Sequence, residues 1–338
     1  MSVKNRKVAL ITGANGSVGL GIARRLLTDH RDDYTLVLAC RMAYRAEVAK
    51  YQLREEYPGA RVETIAFDIG SAMEVLEAAE EFKRRYNQLD LFFCNAGLLS
   101  ASGLNWPKIF RLLFTDMKGL LERADATVQR TGEFNEDGMG LVFACNVFGH
   151  YILIRALEEL LQKSGEGRVI WTSSITSKHE EFSLDDWQGV YCPYPYESSK
   201  WLCDIIAVQI NEHFKQKRLK ITSFTTHPGV VASSIGNLPR YITESRKLLH
   251  YIVRWCGVSS QTITGWHGAL SNIYVAFHLP LSDLETNVRY GSYIRWNGKG
   301  FVDRQEIEGF DLKEAETVLE RIEALRLQTI QRYNAQNA

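Results

Sequence analysis

Val8-Ala9-Leu10-Ile11-Thr12-Gly13-Ala14-Asn15-Gly16-Ser17-Val18-Gly19 decides the fold. The apolar run reads as a buried strand and the glycines as a tight turn. Leu20, Ile22, Ala23, Leu26 and Leu27 then form the inward stripe of a helix over 19–27. A strand turning through glycine into a helix gathers backbone N–H groups and the positive helix end around one point. Such a point takes a dinucleotide pyrophosphate. Thr12, Gly13, Asn15, Gly16, Ser17, Val18 and Gly19 are therefore candidate cofactor contacts.

Outward from this turn the same unit repeats. Strands are expected at 35–40, 62–67, 89–94, 168–172 and 220–226, with helices at 45–56, 73–86 and 140–162 and another carrying Tyr196. Strands alternating with helices predict an α/β fold with a doubly wound parallel sheet of Rossmann type, forming one domain over 1–338. Such sheets bind ligands beyond the carboxyl ends of their strands. Asp68, Asn95-Ala96-Gly97, Ser173-Ser174 and His227-Pro228-Gly229 all fall at expected strand ends, which points to a single site.

Composition excludes several other classes. The 338 residues carry 40 basic and 40 acidic side chains, so charge gives no reason to expect nucleic acid. The six cysteines lack C-x-x-C spacing, which argues for a reduced, cytosol-facing chain and against a bound metal. A strand beginning by Lys7 leaves no room for a signal peptide, and no run of 18 apolar residues supports a spanning helix.

Tyr196-Glu197-Ser198-Ser199-Lys200 places a phenol and an ammonium on one helix face at i and i+4. A free tyrosine, with a pKa near 10, is a poor acid–base catalyst at neutral pH. A neighbouring ammonium stabilises the phenolate and is expected to bring Tyr196 towards working range. Following the dinucleotide turn in this order, the pair points to a nicotinamide-dependent oxidoreductase acting on carbonyls and alcohols.

Thr12–Gly19, Asn95-Ala96-Gly97, Asn146, Ser174, Tyr196-x-x-x-Lys200 and Pro228-Gly229 resemble the short-chain dehydrogenase/reductase family across nearly the whole chain. Asn146–Arg155, Trp171-Thr172-Ser173-Ser174 and Phe182-Ser183-Leu184-Asp185-Asp186 resemble its 3-keto-steroid reductase branch, which includes the type 7 17β-hydroxysteroid dehydrogenase of animals and the sterol reductase of fungi. The resemblance implies a catalytic set of Ser174, Tyr196, Lys200 and Asn146. Tyr196 would protonate the alkoxide while the 4-pro-S hydride is delivered, and Lys200 would also hold the nicotinamide ribose. Ser174 would bind the carbonyl oxygen, and Asn146 a water linking Lys200 to solvent. It further implies that Asp68 contacts the adenine, and Val231 and Ser233 the nicotinamide carboxamide. Ser17 stands where the family commonly has a middle glycine, with Gly16 one position early.

Two assignments need argument. Ser174 precedes Tyr196 by 22 residues, whereas the commonest family spacing selects Ser183, at 13. Strand-end placement favours Ser174, leaving Ser183 as a helix N-cap with Asp186 as its capping-box partner. Both remain substrate candidates, together with His227. The second strand ends Leu38-Ala39-Cys40-Arg41 without a carboxylate to bind a ribose diol. Arg41 suits a 2′-phosphate, so NADPH/NADP is the expected cofactor.

Two insertions look specialised for substrate, at 98–139 and 233–258. In the first, Trp106, Phe110, Leu113, Phe114, Met117, Leu120 and Leu121 follow helical spacing and could line a lipid entrance, lie in a membrane interface or cover the core. The second is basic and aromatic, suiting a bulky apolar ligand. A helix over 312–333 would pack on the domain or on a second subunit. The branch resemblance implies a sterol or steroid substrate reduced at C3 to a 3β-hydroxyl, with estrogen C17 activity as a secondary expectation. It also implies peripheral contact with the endoplasmic reticulum, a sterol-synthesis enzyme complex and a homodimer. Competing readings are a soluble cytoplasmic protein, a reductase of retinal or another lipid carbonyl, and an NADPH-sensing protein without turnover.

Overall fold

A computed structural model describes residues 6–122, 126–232, 250–278 and 280–337. Eight strands form one sheet in the order β10-β9-β8-β7-β4-β1-β2-β3: β1 Lys7–Thr12, β2 Tyr34–Cys40, β3 Arg61–Ala66, β4 Leu91–Cys94, β7 Gly167–Thr172, β8 Ile221–His227, β9 Val288–Ile294 and β10 Gly300–Glu306. All neighbouring pairs are parallel except β9–β10, an antiparallel edge that the sequence reading did not foresee. A separate two-stranded hairpin, β5 Ala101–Leu104 with β6 Thr127–Gln129, lies within the first expected insertion.

Strand alternation fills a core on each face of the sheet. Val8, Leu10, Phe92 and Cys94 point to one side; Ala9, Ile11, Leu91 and Phe93 point to the other. Helices α1 (Ser17–His30), α2 (Ala43–Glu56) and Leu270–Phe277 bury side chains in the second core. Helices α3 (Ala72–Arg85), Gly149–Ala156, Pro195–Gln216 and Leu312–Gln336 bury theirs in the first.

Local chemistry fixes where these helices begin. Ser71 Oγ accepts the Glu74 N–H at 3.4 Å, while the Glu74 carboxylate reaches back to the Asp68 N–H at 2.8 Å. This cap starts α3 just past β3 and sets Asp68 at the strand end, at a stability gain of about 1 kcal/mol. The helix expected over 140–162 is interrupted by a π-turn, Ala144–Phe148, with Asn146 at its middle. One extra residue per turn rotates the side chains that follow, and such insertions are frequent at functional sites.

The chain runs outward from β1 to β2 and β3, then crosses back to β4, β7 and β8. The carboxyl ends of β1 and β4 therefore flank the point where the winding reverses, the place at which such sheets open a crevice.

Candidate active site

At that reversal lies a cavity of about 660 Å³. Its nucleotide side is formed by Thr12, Gly13, Asn15, Gly16, Ser17, Val18 and Gly19 of the first turn, Arg41 after β2, Asp68 after β3 and Asn95-Ala96-Gly97 after β4. Ser174, Tyr196, Lys200, Pro228, Gly229 and Val231 line it further along. Ser233 lies outside the described residues, as do 233–249 of the second expected insertion. Asn146, Ser183 and His227 do not line the cavity.

The turn is shaped to receive a backbone-bound anion. Gly13 adopts φ +63°, and a Cβ there would lie 2.9 Å from Ala96 Cα. A Cβ on Gly19 would meet Gly13 O at 2.4 Å and Ala14 Cα at 2.8 Å, so only glycine lets α1 pack this closely. No side chain caps the N-terminus of α1 at Gly16. Thr12 Oγ1 accepts the N–H groups of Asn95 and Ala96 at 2.9 and 3.0 Å, and Asn95 Nδ2 donates to Thr12 O at 2.9 Å. These bonds weld the ends of β1 and β4 together. The open helix end and the space kept by glycine fit a dinucleotide pyrophosphate. At the rim, Arg41 Nη1 stands 3.7 Å from Asp68 Oδ2, with the Arg41 side chain largely exposed.

The side chains expected to be catalytic converge from two elements. Ser174 follows β7; its Oγ contacts Thr176 Oγ1 at 2.9 Å and accepts the Thr176 N–H at 3.1 Å. Tyr196 and Lys200 stand one turn apart on the Pro195–Gln216 helix. Lys200 Nζ donates to Thr172 O at 2.8 Å and lies 5.6 Å from the Tyr196 ring centroid. Burial pushes the Tyr196 phenol above its ordinary value, outweighing the Lys200 ammonium and the Ser174 hydroxyl, which pull it down. The protonated phenol is the form that donates in a reduction.

Asn146 acts from behind the cavity wall. Its Oδ1 accepts the Leu98 N–H at 2.6 Å, and its Nδ2 donates to Leu98 O at 3.1 Å and Ser199 Oγ at 2.8 Å. Its own carbonyl accepts from Cys203 Sγ at 3.3 Å and lies 3.2 Å from His150 Nδ1. Asn146 thus anchors the chain leaving β4 and the helix that carries Tyr196 at once. His150 Nε2 stands 2.8 Å from Thr12 Oγ1. Because a carbonyl only accepts, Nδ1 carries the imidazole proton and Nε2 accepts from Thr12. Burial drives this imidazole down to about 3, so it is neutral.

Ser183 and His227 are placed elsewhere. Ser183 is exposed and its Oγ accepts the Asp185 N–H at 3.3 Å; no helix follows it. Asp186, expected in a capping box, instead accepts the N–H groups of Val190, Tyr191 and Cys192 and shapes the loop before Tyr196. His227 is fully buried at the end of β8, where its Nδ1 accepts the Gly229 N–H at 3.1 Å. Burial also lowers this imidazole to about 3. It fixes the turn before the cavity and does not reach into it.

The remaining wall comes from the first insertion. Leu98, Ala101, Leu104, Trp106, Ile109 and Leu120 line the cavity, with α4 spanning Trp106–Thr115 and α5 Met117–Glu122. Trp106, Phe110 and Phe114 are 55, 62 and 84% exposed, so this face of α4 does not cover the core. Sequence reasoning missed Thr176, Gln129 and the hairpin itself, whose short, weakly apolar strands carry little periodic signal. All six cysteines are free thiols, and no cluster of metal-binding side chains occurs among the described residues. Among those residues, no helix is long and apolar enough to cross a membrane.

Residues 7–238 match the short chain dehydrogenase family. The chain is 34% identical to the rat 3-keto-steroid reductase/17-beta-hydroxysteroid dehydrogenase 7 over 90% of each chain. It is 30% identical to the 3-keto-steroid reductase of Kluyveromyces lactis, over 96% of this chain and 95% of the other. A putative uncharacterized protein from Mycobacterium paratuberculosis superposes with a TM-score of 0.62 at 19% identity, over 96% of this chain and 94% of the other. The NADPH-bound carbonyl reductase from chicken fatty liver superposes with a TM-score of 0.56 at 19% identity, over 88% and 99%. By the glycine turn, the Ser174–Tyr196–Lys200 arrangement and these similarities, the chain belongs to the short-chain dehydrogenase family of nicotinamide-dependent oxidoreductases.

Proposed function

We propose that this enzyme is an NADPH-dependent 3-keto-steroid reductase that converts the C3 ketone of a sterol intermediate to a 3β-hydroxyl. The observation that carries this reading is the join of a proton-donating pair to an apolar wall: Ser174 and Tyr196 share one cavity with Leu98, Leu104, Trp106, Ile109 and Leu120. A rigid, hydrophobic substrate with one polar end suits such a site. The names of the rat and Kluyveromyces relatives support the same substrate class. Arg41 at the rim, on a strand end without a carboxylate of its own, supports the 2′-phosphorylated cofactor.

When bound, the reduced nicotinamide supplies a hydride to the carbonyl carbon. Ser174 orients the ketone oxygen through its hydroxyl, and Tyr196 gives its phenolic proton to that oxygen. Lys200, held by Thr172 O, stabilises the phenolate left behind. The exposed aromatic face of α4, formed by Trp106, Phe110 and Phe114, supports a peripheral contact with a lipid surface from which the substrate enters.

Initial rates of NADPH consumption with a 3-keto sterol in detergent test this function, with retinal as comparison and Tyr196→Phe as control. Sterol-dependent oxidation that falls about 10²–10⁴-fold in the variant is the expected result. Turnover of retinal with none of the sterol would overturn the substrate and keep the proton donor.

A further inference from the structure

The catalytic helix Pro195–Gln216 starts without a local side-chain cap. Its first turn is nonetheless held from elsewhere in the fold. Pro195 has no N–H, and the Ser198 N–H reaches Tyr194 O at 3.2 Å. The Tyr196 N–H is taken by Gln129 Oε1 at 3.0 Å, from a residue 67 positions earlier. The same Gln129 amide donates through Nε2 to Glu197 Oε2 at 2.6 Å. One buried side chain thus grips two successive residues of the helix, one of them the proton donor.

Gln129 closes strand β6 and pairs with Ala101 of β5. That hairpin is also cavity wall: Ala101, Leu104 and Thr127 all line the space a substrate would fill. Both partners are well buried, Gln129 at 8% and Glu197 at 3% exposure, so water competes little for these bonds.

We propose that Gln129 is a positioning residue, a long-range N-cap through which the substrate-side hairpin sets the place of Tyr196. A ligand pressing on Leu104 or Thr127 then bears on the proton donor through a single strand. The inference rests on the reading of Tyr196 as proton donor but needs no particular steroid.

A polarity swap tests it in the full-length enzyme. Gln129→Glu alone faces two buried carboxyls across the contact. Adding Glu197→Gln restores both bonds with donor and acceptor exchanged, because a carboxylate at 129 accepts from Tyr196 N–H and from the new amide. The expected result is a kcat for a 3-keto sterol reduced about tenfold in Gln129→Glu, with NADPH affinity by fluorescence titration unchanged, and recovery to within about threefold in the double variant. Amide hydrogen exchange at Tyr196 should quicken in Gln129→Glu and in Gln129→Ala and return to native in the swap. An exchange rate at Tyr196 unchanged in Gln129→Ala, or a loss in Gln129→Glu that the swap does not recover, overturns the proposal. The exchange arm needs no substrate: a native enzyme inactive on sterols sinks the proposed function while leaving this inference to be decided by exchange.

Discussion

On the β1–β4 side the cavity is built from backbone and glycine, whereas on the hairpin side it is built from side chains. Gly13, Gly19 and the Thr12–Asn95 bonds leave no freedom at the nucleotide turn, because the atoms a Cβ would strike are themselves main chain. Leu104, Trp106 and Ile109 instead stand on a short hairpin and a single helix, tied to the rest by contacts such as Gln129. The first arrangement leaves no room for a side chain at Gly13 or Gly19, whatever carbonyl is reduced. The second can vary residue by residue, and under the proposed function it would select the substrate. Substitutions on the two walls should therefore separate cleanly in their effects.

The largest effect is expected at Gly19→Ala. The added methyl meets Gly13 O and Ala14 Cα well inside contact distance, so α1 must move off the turn. Cofactor affinity should fall more than about 100-fold, with rates on every carbonyl falling alike. Fluorescence titration of NADPH checks this; a loss confined to sterols would break the division between the walls. Arg41→Ala comes next. Losing a charge-assisted contact should weaken NADPH about 10- to 100-fold and leave NADH nearly unchanged. Equal losses for both cofactors would show that Arg41 serves only its ion pair with Asp68.

The junction of the walls carries its own pH dependence. Burial raises the Glu197 carboxyl to about 7, with Glu181 raising it further and Lys178 and the Gln129 amide opposing. An acid whose folded pKa lies above its unfolded value of about 4.3 favours the folded state below that value. The contribution is lost as pH climbs to about 7. Relative to the native enzyme, Glu197→Gln should therefore gain about 2–3 kcal/mol between pH 5 and pH 8, whatever constant penalty the amide brings. Denaturant unfolding at the two pH values checks the slope; a difference that does not change with pH would mean that Glu197 stays ionised in the fold.

The two walls also differ in how far the sequence revealed them. A parallel sheet carries the residue after each strand to one edge, so Thr12, Asp68, Asn95 and Ser174 were assignable from strand ends alone. Ser174 prevailed over Ser183 on that ground, and the structure sets Ser183 in an exposed loop. The hairpin side offered no such rule. Gln129 acts on Tyr196 across 67 positions, and neither residue's neighbours signal the contact. The Asp204–Arg289 pair was equally silent: Arg289 donates at 3.0 Å both to Ser174 O and to Asp204, fully buried, from a strand that the sequence reading did not place. Periodicity reports which face of an element is apolar and is blind to polar contacts between distant elements.

The smallest effects should resolve the hairpin side into two functions. Trp106 both lines the cavity and is exposed, whereas Phe114 on the same helix is more exposed and does not line it. Trp106→Ala should raise the sterol KM about fivefold in detergent, with NADPH affinity unchanged. Phe114→Ala should leave that KM alone and instead weaken sedimentation with anionic phosphatidylserine vesicles about threefold, since it removes apolar area offered to the lipid and none offered to the substrate. Were Phe114→Ala to raise the detergent KM as Trp106→Ala does, α4 would act as one substrate-binding unit. Were neither to change vesicle binding, its aromatic face would have no part in lipid contact, and the route by which an insoluble ketone reaches Tyr196 would lie elsewhere on the cavity rim.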